Sequence, residues 1–180
     1  KKDCSNDVFF ALSHGVHRGQ LKNRSSDDRE KFIRSLINKC KNIRFDIFGM
    51  NNIQPIWADQ YFKNISNSKM GLNLSRGKPI KYYSSDRITQ IIGNGLVTLI
   101  DEKTRYGDFF DDSEMVFYKN IEDLSEKIEK ISENEKLRKS IGQKGKAKYM
   151  KYFNSTLVAD FIINKTYEIN GTKKYLWHKP

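Results

Sequence analysis

The chain predicts an α/β fold: an open, doubly wound parallel sheet of Rossmann-like type, as one domain with extra helices at its C-terminal end. Three observations carry this expectation. Short apolar runs rich in β-branched and aromatic residues recur, each bounded by turn-formers. Amphipathic stretches with an apolar stripe at helical spacing lie between them. The two kinds alternate, as strand–helix–strand units do when they build a parallel sheet with right-handed crossovers.

The elements follow in order. Val8 to Leu12 is a buried strand, and the polar stretch from Ser13 to Ser26 is a loop rich in Gly, His, Arg and Lys. Asp27 or Asp28 caps a helix whose stripe is Phe32, Ile33, Leu36, Ile37 and Cys40. Ile43 to Phe48 is a second strand closed by Gly49, and Ile53 marks a very short third. Trp57 to Ile65 reads as a short helix, and Met70 to Leu74 as the fourth strand. Ser84 to Gly93 is a helix, with Ser84, Ser85 and Asp86 as capping side chains before the run Ile88, Ile91, Ile92. Leu96 to Ile100 is a strand, Thr104 to Asp112 a partly helical loop, and Met115 to Tyr118 the last strand. From Ile121 the chain is helical to a break at Asn154, after which Leu157, Phe161, Ile162 and Tyr167 outline a final helix. Residues 170–180 form a polar tail, with Tyr175, Leu176 and Trp177 as the part suited to docking.

At 180 residues the chain can bury one core. Its 37% hydrophobic and 31% charged residues suit a folded, soluble protein. No apolar run approaches the roughly 20 residues of a membrane helix, and no stretch reads as a signal peptide. The chain begins Lys1-Lys2-Asp3 without Met and is expected to be a piece of a longer protein. Cys4 and Cys40 are far apart and lack Cys-x-x-Cys spacing, so two reduced thiols and no metal site are expected. The net charge of +11 is uneven: residues 1–90 carry 17 Lys+Arg against 8 Asp+Glu, and residues 91–180 carry 16 against 14. A cationic half suits an anionic ligand such as a nucleoside diphosphate, a nucleic acid or an anionic lipid.

In a doubly wound sheet, ligands bind beyond the C-terminal strand ends where the strand order reverses. With a 3-2-1-4-5 order, that crevice lies between the first and fourth strands. The loops there are the cationic ones. One holds His14, His17, Arg18 and Lys22, and the other holds Arg76 and Lys78 before Tyr82 and Tyr83. The capped helix begins next to the second loop, and a helix N-terminus beside cations makes a phosphate pocket. Each residue has a plainer alternative: a solvated loop for the cations, a surface imidazole for His14 and His17, a turn for Asn51 and Asn52, packing for Tyr82 and Tyr83.

The segment Asn73 to Asp101 resembles the donor-side half of GT-B glycosyltransferases of the bacterial glycosyl transferases group 1 type. The pattern Arg-x-x-Glu-(apolar)₂-Gly-x-Gly followed by a Val/Leu-rich strand is matched from Arg87 to Val97, with Gln90 in place of Glu. The resemblance continues to Phe161 and runs back more loosely to Val8. It implies that residues 1–169 are a nucleotide-sugar-binding domain and that the reaction moves a sugar from a nucleotide-diphosphate sugar to an acceptor hydroxyl. It implies Arg18, Lys22, Ser84, Ser85 and Arg87 at the donor diphosphate, and Gln90, Asn51 and Asn73 at the ribose or base. His14, His17, Arg76, Lys78, Tyr82 and Tyr83 are further candidates, and no catalytic residue is assigned. It further implies no cofactor, no bound metal and no nucleic-acid partner. The expected partners are an N-terminal acceptor-binding domain outside this chain and a glycan or lipid acceptor. The expected place is the cytoplasm, with the inner face of the membrane as an option. The competing readings are a nucleic-acid-binding module and a non-catalytic Rossmann-like nucleotide-binding protein.

Overall fold

A computed structural model of the chain describes residues 4–12, 28–169 and 175–177. Five strands, β1 (Asn6–Ala11), β2 (Phe45–Phe48), β3 (Ser68–Asn73), β4 (Val97–Asp101) and β5 (Val116–Tyr118), pair in the order β2-β1-β3-β4-β5. Every pairing is parallel. The helices are α1 (Asp28–Lys39), α2 (Ala58–Ser66), α3 (Asp86–Gly93), α4 (Ile121–Glu133), α5 (Glu135–Tyr152) and α6 (Ser155–Thr166).

Alternation along β1 sets the two layers. Val8 and Phe10 point to one face, where they meet Ile33 and Leu36 of α1 and Leu124 and Ile128 of α4. Phe9 points to the other and meets Ile65 of α2 and Ile91 of α3. All of these residues are fully buried, and each such apolar side chain contributes about 1.5–3 kcal/mol to folding. Gly71 lets α3 lie directly on β3: a Cβ there would fall 2.5 Å from Cγ1 of Ile91.

The expected short strand at Ile53 is absent. Asn51 and Asn52 both adopt left-handed backbone (φ 55 and 63), and Ile53 donates its N–H to the Met50 carbonyl at 3.0 Å. The segment is thus a turn, and Ile53 is exposed. The expected strand order otherwise holds, without its outermost member. The late helical run is broken at Asn134 as well as at Asn154. Each Asn accepts from a backbone N–H three residues on, Leu137 and Leu157, and so starts a new helix. Within the tail, Trp177 packs on Phe153 and Phe161, and the Tyr175 hydroxyl donates to Asp160 at 2.7 Å. Among the described residues no helix is long and apolar enough to cross a membrane.

Candidate functional site

The strand order reverses between β1 and β3. From β1 the chain leaves toward the α1 face, and from β3 toward the α3 face, so a crevice opens beyond their C-terminal ends. Arg87, in the first turn of α3, lies across this point. Its guanidinium donates to the Leu74 carbonyl at 3.1 Å and the Ala11 carbonyl at 3.5 Å, and sits 5.1 Å from the Phe10 ring centroid. It therefore ties the two strand ends together and brings a positive charge beneath the crevice. Burial and then the charge of Arg29 lower its pKa.

The N-terminus of α3 is built differently from the sequence expectation. Ser85 is the capping residue, and Asp86 is already helical. The Ser85 hydroxyl does not cap. It donates instead to Oδ1 of Asn73, at 2.9 Å, at the end of β3. Buried Asn73 holds the helix start against the strand end, and among the described residues the first-turn N–H groups keep no side-chain acceptor. Such a terminus carries partial positive charge, which Arg87 augments and the first-turn carboxylate of Asp86 opposes.

Two cavities flank the end of β1. One, of about 210 Å3, lies over the ends of β3, β4 and β5. Asp28, Arg29, Asn73, Tyr83, Asp101 and Tyr118 are among its walls. The other, wider and about 880 Å3, lies over the end of β2 beside Glu30, Arg34, Asn51, Asn52 and Trp57. The first turns of α1 lie between them, with Asp28, Arg29 and Phe32 on the smaller cavity and Glu30 and Arg34 on the wider one.

The loop between β3 and α3 is pinned in place. The Tyr82 hydroxyl donates to Asp108, which also holds Arg105 at 2.9 Å, and the Tyr82 ring packs on Phe109. The Tyr82 N–H donates to the Thr104 carbonyl at 2.9 Å. Its hydrogen bond to Asp108 pushes the Tyr82 pKa up.

Of the residues the sequence picks out, Asn73, Ser85 and Arg87 meet at the strand reversal, and Tyr83 joins Asn73 in the smaller cavity. Gln90 is part-buried one turn along α3 from Arg87 and lines neither cavity. Asn51 stands at the other cavity. Ser84 is exposed and lines neither cavity, and Tyr82 is a loop clamp. Arg76 and Lys78 are exposed on the loop, outside both cavities. His14, His17, Arg18 and Lys22 lie outside the described residues. Sequence reasoning missed Arg29, Asp101 and Tyr118. No single segment marks the last two as a pair: Asp101 and Tyr118 end adjacent strands and pair in register, so both stand at the ligand end of the sheet.

The profile of the glycosyl transferase-like family matches residues 24–164. The chain belongs to this family. No curated protein matches it in sequence. Among solved structures, a Staphylococcus aureus TarM variant in complex with fondaparinux, α-GlcNAc-glycerol and UDP superposes with a TM-score of 0.64 at 13% identity, over 91% of this chain and 36% of that one. Sucrose-phosphate synthase from Thermosynechococcus elongatus gives 0.60 at 12% identity, over 92% and 45%. The C-terminal domain of LpcC, a glycosyl transferase group 1 family protein from Francisella tularensis, gives 0.50 at 13%, over 71% and 64%. At such identities the likeness concerns the fold: this glycosyl transferase-like chain is a GT-B-type Rossmann-like domain. It spans well under half the length of the TarM and sucrose-phosphate synthase chains.

Proposed function

We propose that this chain is the donor-binding half of a GT-B glycosyltransferase, which moves a sugar from a nucleotide-diphosphate sugar to an acceptor hydroxyl. The observation that carries the reading is the α3 N-terminus, left without a side-chain cap from Ser85, beside Arg87 at the strand reversal. A diphosphate placed there would accept from the free N–H groups of α3. It gains negative charge as the sugar leaves, so the same donors and cations favour the transition state over the bound donor. Charge compensation by side chains and a helix end lets the reaction run without a bound metal. The nucleoside would lie toward Asn51 and Asn52, with its ribose held back near the strand reversal, where Gln90, one turn along α3 from Arg87, is the candidate to reach it. Arg18 and Lys22, on the segment between β1 and α1, supply further diphosphate contacts. An acceptor-binding domain outside this chain would present a glycan or lipid hydroxyl, so the chain alone binds donor without turnover.

Titration calorimetry with UDP, GDP, dTDP and a single-stranded oligonucleotide tests this. A nucleoside diphosphate should bind in a saturable one-to-one manner and more tightly than the oligonucleotide. Tighter oligonucleotide binding with a steep salt dependence would replace the reading with a nucleic-acid module.

A further inference from the structure

The smaller cavity holds a feature that folding does not explain. Tyr118 is buried at the end of β5, with its ring against Phe32 of α1, and its hydroxyl has no hydrogen-bond partner among the described residues. Burial and then the charge of Asp101 push its pKa up, so it is a neutral donor at any ordinary pH. Asp101 is the residue opposite it in the β4–β5 register. Only one Asp101 carboxylate oxygen has a backbone partner, Oδ1, which accepts from the Lys103 N–H at 2.8 Å. Asp28, the first residue of α1, adds a second carboxylate to the wall, and Tyr83 an aromatic face at its exposed side. Buried polar groups are normally paired, and an orphan in a cavity wall calls for an explanation.

We infer that this cavity is the sugar pocket of the donor, and that Asp101 and Tyr118 select a neutral, hydroxyl-rich hexose. The inference rests on the donor-binding reading above. Carboxylates accept from sugar hydroxyls, a phenol donates to one, and an aromatic face packs on the C–H side of a pyranose. The two carboxylates outnumber the one guanidinium on this wall, Arg29, and so disfavour an acidic sugar. The position also fits: Asn73 lines the cavity and holds the Ser85 hydroxyl at the start of α3, so a sugar here adjoins a diphosphate there.

The test titrates UDP, GDP, ADP and dTDP, then the tightest of them conjugated to glucose, galactose and mannose. One conjugate should bind about five-fold more tightly than the bare diphosphate, the gain of about one hydrogen bond. Asp101→Asn, which retains Oδ1 for Lys103, should remove that gain and leave diphosphate binding unchanged. Tyr118→Phe should weaken the conjugate about three-fold or more and leave the bare diphosphate untouched. Its Tm should stay level or rise, because the deleted hydroxyl had no partner in the free protein. If a diphosphate binds but no hexose adds affinity, or if both variants bind the conjugate as the parent does, the sugar pocket is wrong and the donor reading stands. A fall in Tm for Tyr118→Phe would show that the hydroxyl serves the fold, and would overturn the assignment. If no diphosphate binds, the donor reading fails and takes the pocket with it.

Discussion

At the N-terminal end of the sheet, Asp7 is buried and its carboxylate is fully occupied. It accepts from the Arg44 N–H at 2.9 Å and from Nζ of Lys69 at 2.6 Å, with Nε of Arg44 at 3.5 Å. At the C-terminal end, α3 begins without a side-chain cap from Ser85, Arg87 lies beneath the crevice, and the Tyr118 hydroxyl is buried without a partner among the described residues. The same sheet thus closes one end and leaves the other with an uncapped helix start and an unpaired hydroxyl. Satisfied groups serve the fold, and groups left waiting in a crevice serve a ligand.

The largest expected effect lies at the closed end. Asp7→Ala strands Lys69, whose side chain is only 17% exposed, and should cost about 2–3 kcal/mol, the low side for a broken buried pair. Chemical denaturation measures it, and nucleotide affinity should not change. The pH dependence has a definite sign. Burial opposes ionisation of Asp7, but Lys69 and Arg44 outweigh it and hold the pKa below its ordinary value. The stability so gained is present above the unfolded carboxylate range and is lost as pH falls through the lowered pKa. Asp7→Ala should therefore flatten the acid side of the stability profile. An unchanged acid limb would break the contrast from this side.

At the open end, Ser85→Asp separates the two roles directly. A carboxylate at the capping position should stabilise α3 by about 0.5–1 kcal/mol and repel a diphosphate, weakening it by about ten-fold or more. A variant that is more stable and still binds nucleoside diphosphate as the parent does would make the bare helix start a structural accident. Arg87 is a less clean probe, because its bridge from Leu74 to Ala11 also holds β1 against β3. Arg87→Ala should lower stability along with affinity.

Gln90 sharpens the ligand's identity. Gln90→Ala should weaken a ribonucleotide several-fold, by the roughly 0.5–1.5 kcal/mol of one hydrogen bond, and its 2′-deoxy analogue less. Gln90→Glu should keep or tighten the ribonucleotide. Equal losses for both nucleotides would leave Gln90 as an ordinary helix residue.

The smallest effect probes an exception in β2. One oxygen of Asp46 is buried without a partner, and burial raises its pKa despite a hydrogen bond with Asn6. Its favourable contribution is complete below the unfolded pKa and is lost as pH rises through the folded one. Asp46→Asn should thus be modestly more stable than the parent at neutral pH and no different in acid. A loss at neutral pH would show that the carboxylate is needed.

These contrasts also show what was legible beforehand. The strand–helix alternation and the position of the reversal were readable, because periodicity is local and Val8, Phe9 and Phe10 reveal both faces of a buried strand. The start of α3 was readable to within two residues. Its chemistry was not, because the Ser85 hydroxyl goes to Asn73, a partner on another element. Ile53 misled because β-branched residues favour strands, whereas two left-handed Asn residues turn the chain before it. The pairing of Asp101 with Tyr118 needed the β4–β5 register, which no single segment encodes. The bracing role of Arg87 likewise needed β1 and β3 side by side.

The most direct test of the account is hydrogen–deuterium exchange of the intact chain with and without a saturating nucleoside diphosphate, UDP first. The account predicts slower exchange for residues 85–90 at the start of α3, together with residues 28–34 and 49–54 around the two cavities. It predicts no change at residues 6–8, 44 and 67–69 at the closed end. Protection confined to the lysine-rich face of α5, or no protection at a concentration that saturates binding, would contradict a donor site at the strand reversal.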